Sequence, residues 1–247
     1  MISLFRKIRQ KLLSEHRVTQ YLAYAVGEIF LVVIGILIAL QINTWNELRK
    51  TRQYETKMLQ ELESTLKKDR NYFSDQIKVL NRKQKAANRL LAMVENKEEN
   101  LDTLNKYFAD LRFDITFQYN AGAYGSIKSG GIDKISNDSI RAKMADIYEF
   151  MIPRTEKVIE NLSQSDPVES ALLEELTTRA IVPLENGEKV IRGRIIDPKT
   201  IYREEFLHLI QLQKNTTFTT KSRLETLLTP MDHLIQLIEE ELKVPVE

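Results

Sequence analysis

Two places along this chain bring together residue types able to do chemistry, and each falls short of the constellation that its chemistry needs. Gly125-Ser-Ile-Lys-Ser-Gly130 has the glycine spacing of a phosphate loop, but Gly131 stands where lysine is required and no buried strand precedes it. Ser126 and Ser129 lie in no Gly-x-Ser-x-Gly elbow, so nothing exposes either hydroxyl as a nucleophile. Glu205 and His208 have the Glu-x-x-His spacing that places two ligands on one face of a di-iron bundle. That chemistry needs a second copy, and Pro230 occupies the matching position before His233. Zero cysteines remove thiolate zinc sites, iron–sulfur clusters, disulfides and a thiol nucleophile. The expectation is a protein that is not an enzyme, with no catalytic, cofactor-binding or metal site.

Glu28 is of interest because of where it lies. A mean hydropathy of −0.33 conceals one very unequal segment, Ile29 to Leu40, which reads IFLVVIGILIAL. Extended from Leu22 to Ile42 it covers ~31 Å at ~1.5 Å per residue, which matches a hydrocarbon core of about 30 Å. The Ile, Leu, Val and Phe residues of the run contribute roughly −3 to −6 kcal/mol towards insertion, against at most about +3 kcal/mol for Glu28, so insertion wins. Residues 21–43 are therefore read as a transmembrane helix, with Tyr24 and Trp45 as interfacial anchors and Tyr21 beside them.

At 100° per residue, Tyr21, Glu28, Gly35 and Ala39 fall within about 40° of one another, which makes that face the expected interface with another span. A second reading of Glu28 stays open, in which it reaches the near headgroups or is protonated. No small-x-small pattern follows Leu40, so the span reads as an uncleaved anchor. Phe5, Ile8 and Leu12 form an apolar stripe opposite Arg6, Lys7, Arg9, Lys11 and Arg17, which suits an anionic cytoplasmic leaflet. Residues 1–20 are thus expected to be a basic amphipathic cytoplasmic segment, and residues 44–247 a helical extracytoplasmic domain.

Glycine and proline divide that domain. Neither occurs between Gly35 and Gly122, and Leu59, Leu62, Leu66, Phe73, Ile77, Leu80, Ala87, Leu91 and Val94 recur at steps of three, four or seven. This predicts a long helix, continuous with the span, whose seam is interrupted by Asp69 and Gln84 and so belongs to a packed bundle. Lys67, Lys68, Arg70, Lys78, Arg82, Lys83, Lys85 and Arg89 read as its solvated face. With 36 basic against 35 acidic residues and no aromatic ladder among those cations, nucleic acid is not an expected partner.

Leu101 to Leu111 predicts a short helix, and Asn137 to Ser139 cap a stronger one through Met151 that Pro153 kinks or ends. Asp166-Pro167 opens another. A β-hairpin is expected at about 180–196, with Asn186-Gly187 at a tight turn, followed by a helix from Asp197-Pro198 and a last helix through Leu242. Gly122, Gly125, Gly130 and Gly131 are expected in a turn that is either structural or a partner-contact loop. The fold class is mainly α, a transmembrane helix leading into a long helix and a helical bundle with a small hairpin.

Two segments, GEIFLVVIGILIALQINTWNE (residues 27–47) and AYGSIKSGGIDKISNDSIRAKMADIYEFM (residues 123–151), carry a further signal. The first joins Gly-Glu before the apolar run to Gln41 and Trp45-Asn46-Glu47 after it; the second has a Ser-Gly turn, then Asn-Asp before a helix with Arg141 and Tyr148. Together they resemble an uncharacterised family of single-pass membrane proteins known mainly from Bacteroidota. The resemblance implies a bacterial inner membrane protein and no activity, and with the orientation read from the basic start the domain is expected in the periplasm. The expected function is a membrane-anchored helical interaction or scaffold protein, whose partners are the lipid bilayer and another membrane protein or a second copy. The alternative is an extracytoplasmic ligand-sensing bundle acting through a partner subunit.

Overall fold

Residues 36–121 hold neither glycine nor proline, which favours a long helix, and the first element is α1, Val18–Glu95, 78 residues long, which runs through Gly27 and Gly35 and ends within that stretch. The structure, a computed structural model, describes residues 18–112, 115–163, 167–183 and 186–243, with side chains from Leu22 onward except Ala23, Tyr24 and Ser163. The expected basic amphipathic segment, the side chains of Tyr21 and Tyr24, and the Asp166 cap lie outside the described residues. The chain divides into two compact units, Met1–Glu55 and Thr56–Glu247.

In the first unit, helix α1 carries the apolar run with its side chains outward. In the second, α1 ends in a backbone motif in which Lys97 takes a φ of 55° and Glu98 N–H returns to the Met93 carbonyl at 2.9 Å. A lysine there does the work usual for glycine. Asn100 then caps α2, Leu101–Leu111, by accepting from Thr103 N–H.

The remaining elements are α3 (Gly122–Gly130), a 3-10 turn at Ile132–Lys134, α4 (Asp138–Ala145), a π turn at Asp146–Met151 and α5 (Ile152–Ser163). After these come α6 (Pro167–Leu176), β1 (Thr178–Pro183), β2 (Lys189–Arg194), a 3-10 turn at Pro198–Tyr202 and α7 (Glu204–Leu242). Pro153 does not end the helix begun at α4. A proline ring clashes with the carbonyl four residues back, and the widened π turn, closed by Ile152 N–H to the Ile147 carbonyl, opens the backbone immediately before it.

Helix α7 packs against α4, α5 and α6, and runs antiparallel to α1. Lys67 meets Glu239 at 2.6 Å, Arg70 meets Asp232 at 2.8 Å, and Lys214 meets Asn88 at 3.1 Å, so positions rise on one helix as they fall on the other. One apolar cluster joins Leu90 and Met93 of α1 with Leu104 and Phe108 of α2 and Phe206 and Leu209 of α7. The α1 seam buries Leu59, Leu62, Leu66, Phe73, Leu80 and Ala87, while Leu90 and Met93 take the core positions beside the partly buried Leu91 and Val94.

Four expectations are corrected. The stretch from Gly122 is a helix, not a turn, and only Gly131 takes a positive φ, 107°. Burial of Tyr124 and Ile127, about 1.5–3 kcal/mol for a large apolar side chain, outweighs the roughly 0.5–1 kcal/mol that each helical glycine costs. The hairpin lacks a two-residue turn: β1 and β2 pair antiparallel from Thr178↔Arg194 to Pro183↔Lys189, and Asn186-Gly187 lies within a longer connection. The two last helices are one, with Pro230 inside it. Finally, Lys83 is 3% exposed rather than solvated; it lies buried along with Thr217 and Thr220 of α7.

Candidate functional site

The apolar stretch of α1 carries Glu28, Gly35 and Ala39 of the expected interface face. A Cβ built on Gly35 meets nothing within 4 Å, and Gly35 and Ala39 are exposed while Glu28 is half-buried. Trp45 is exposed, with the Arg49 guanidinium 5.9 Å from its ring centroid. One helix among the described residues is long and apolar enough to cross a membrane.

A second site lies in the bundle, where Asp69, the residue that breaks the α1 seam, is buried. Its Oδ2 accepts the Asn120 backbone N–H at 2.9 Å. One turn on, the Tyr72 hydroxyl donates to the Thr116 carbonyl, and Phe73 stacks on Phe117 with centroids 5.3 Å apart. Three neighbouring α1 side chains thus hold the extended segment before α3, in which Phe117 and Tyr119 alternate with exposed residues. The Asn120 side chain in turn accepts Gly122 N–H at 2.8 Å, which starts α3.

Helix α3 and the π turn meet through two tyrosines. Tyr124 and Tyr148 stack at 4.7 Å with an interplanar angle of 5°. The Tyr124 hydroxyl donates to Glu149 Oε1 at 2.6 Å, and Lys128 Nζ donates to the same oxygen at 2.7 Å. Lys128, followed by the Tyr124 hydroxyl, holds the Glu149 carboxyl below its usual range. The Tyr148 hydroxyl is buried and finds no hydrogen-bond partner among the described residues. Burial raises its pKa well above the usual phenol value, and the charges of Asp69 and Tyr119 add to the effect. Burial likewise raises the Asp69 carboxyl, opposed by the Asn120 N–H.

These groups comprise a poised carboxylate and a neutral buried phenol, which can bind a small polar group or latch the segment in place. They form no nucleophile–base pair. Among the described residues no three metal-ligating side chains come together; Glu205, of the Glu-x-x-His pair, meets Arg203 at 3.3 Å instead.

The glycines expected in a turn or contact loop lie instead in one helix: Gly122, Gly125 and Gly130 fall within α3, and Gly131 follows as its C-cap. Asn137 caps α4 through Ser139 N–H at 3.0 Å and reaches Glu241 of α7 at 2.9 Å, and Arg141 donates to the Ile135 and Ser136 carbonyls and to Asp138. Sequence reasoning noted Asp69 only as an interruption and Tyr148 only within a motif. The available signal was a carboxylate at a core position of a helix otherwise lined with leucine.

Comparison with known proteins bears on the same stretch. The model of a family of unknown function (DUF6090) matches residues 28–164, which takes in Glu28, Asp69, Asn120, Tyr124 and Tyr148 and leaves out the hairpin and α7. No curated protein and no solved structure matches the chain.

Proposed function

Since the chain belongs to the family of unknown function DUF6090, we propose that it is a membrane-anchored helical interaction protein, held by a single span and presenting its bundle to a partner. The observation that carries this reading is the exposure of the apolar run: its large apolar side chains from Val26 to Leu48 are without exception 45% to 68% exposed, whereas the bundle buries most of its own. Water disfavours such a surface at roughly 25 cal/mol per Å², and a bilayer does not. The bilayer is a bacterial inner membrane, the N-terminus is cytoplasmic and the bundle periplasmic. Glu28, Gly35 and Ala39 meet a second span, from another membrane protein or from a second copy.

Alkaline carbonate extraction tests the anchor: the full chain remains with the membrane, and its release into the supernatant overturns the proposal. Cysteines introduced at Ser3 and Ser222 test orientation in spheroplasts. A membrane-impermeant thiol reagent labels position 222 and not position 3; the reverse pattern places the bundle in the cytoplasm.

A second reading, a ligand-sensing bundle acting through a partner subunit, draws on the buried Tyr148 hydroxyl beside Asp69. It requires a small polar ligand whose thermal stabilisation of the chain is lost in Tyr148→Phe.

A further inference from the structure

The hairpin and α2 enclose a groove of about 680 Å³ whose lining carries Lys106, Arg112, Arg192 and Arg194 against a single carboxylate, Asp102. Arg194 is 3.9 Å from Asp102, and the other three cations make no ion pair with it. The groove is built rather than incidental. The buried Asn105 side chain of α2 donates to the Ile195 carbonyl at 2.8 Å and accepts Ile195 N–H at 3.0 Å, an amide-to-peptide pairing that fixes the end of β2 to α2. On its other side β2 is approached closely by Thr177, just before β1, and Gly193 permits this, because a Cβ there would lie 2.6 Å from Thr177 Oγ1.

Ile191, Arg192, Gly193 and Arg194 are consecutive, and all four line the groove. Successive strand residues point to opposite faces, so a groove touched by four in a row reaches the strand's edge, and through Val182 it also extends to β1. Among the described residues the sheet has two strands, which leaves that edge of β2 without a strand partner. Ile191 and its cross-strand neighbour Ile181 are 72% and 70% exposed. An unpaired edge, flanking apolar side chains and an excess of guanidinium groups are what an extended anionic peptide recognises.

We propose that this groove binds an acidic, extended peptide segment of a partner protein, added antiparallel or parallel to β2, with alternate carboxylates on Arg112, Arg192 and Lys106 and alternate apolar residues against Phe108 and Ile191. This deepens the interaction reading of the bundle and rests on it.

The test uses the full chain in detergent and a fluorescein-labelled peptide of alternating glutamate and valine, read by fluorescence anisotropy. The peptide binds, more weakly as salt rises. Arg112→Gln with Arg192→Gln weakens it about tenfold or more, as expected for loss of charge-assisted hydrogen bonds. Both arginines are exposed, and an unchanged far-UV melting curve confirms that the variant is folded. A peptide N-methylated at alternate amides loses binding, because the strand edge can no longer pair. Equal binding by a lysine–valine peptide, by the N-methylated peptide or by the double variant overturns the proposal, as does full displacement by millimolar inorganic phosphate. Carbonate extraction of the membranes from which the chain is solubilised separates the two readings: a chain that keeps its membrane anchor but ignores the peptide loses the groove assignment alone.

Discussion

Replacing Tyr148 by phenylalanine removes one oxygen and leaves the rest of the site in place. The ring stacks on Tyr124 at 4.7 Å, a contact that phenylalanine keeps. The hydroxyl is buried at a residue only 6% exposed and makes no hydrogen bond among the described residues. A buried hydroxyl without a partner costs about 1–3 kcal/mol by mutational measures, so Tyr148→Phe stabilises the bundle by about 1 kcal/mol or more. For a chain of this size that raises Tm by about 2–4 °C per kcal/mol. The assay is thermal and urea unfolding of the purified full chain in detergent, followed by far-UV circular dichroism. Tyr148→Ala, which removes the ring as well, costs about 3–5 kcal/mol and reports the packing contribution. A loss of 1 kcal/mol or more in Tyr148→Phe refutes the reasoning, since it shows that the hydroxyl is engaged in a stabilising hydrogen bond.

Further outcomes follow from the same geometry. Burial raises the Asp69 carboxyl above its ordinary value, so the folded state holds the proton more tightly than the unfolded state, and stability falls as pH rises through the folded-state value. Asp69→Asn keeps an acceptor for Asn120 N–H without ionising; urea titrations find the two proteins alike at the acid end of the carboxylate range and the wild type falling behind above it, and a pH-independent difference contradicts this. Gly125→Ala, whose Cβ meets nothing within 4 Å inside α3, gains about 0.5–1 kcal/mol, whereas Gly131→Ala, at φ 107°, loses about 1–3 kcal/mol; melting curves that rank them the other way return the stretch to a loop. Gly35→Leu or Glu28→Gln weakens crosslinking from position 39 to a neighbouring span while carbonate resistance is kept, and undiminished crosslinking in both variants removes the face as an interface.

Local pattern accounts for much of the architecture. The apolar run from Ile29, the long stretch after Gly35 without helix breakers, and the three- and four-residue spacing of Leu59, Leu62 and Leu66 specify α1 and its buried side whatever surrounds it, because helix propensity and burial periodicity act over neighbouring residues. The Asn137 cap and the pairing of β1 with β2 are local in the same sense. Tertiary packing decided the rest. Gly122 to Gly130 is helical because Tyr124 and Ile127 find a core to enter, a gain that no property of the segment alone reveals. Lys83 is buried, and Asp69 faces Asn120 rather than water, because of what distant parts of the chain place against α1. The register between α1 and α7, and the groove that Asn105 builds beside β2, depend on residues about ninety or more positions apart. Sequence determined α1, α2, the Asn137-capped helix and the hairpin, because hydrogen bonding within a helix or hairpin is short-range; only the folded chain made α3 a helix and decided which side chains meet, because burial, desolvation and charge are set by neighbours in space.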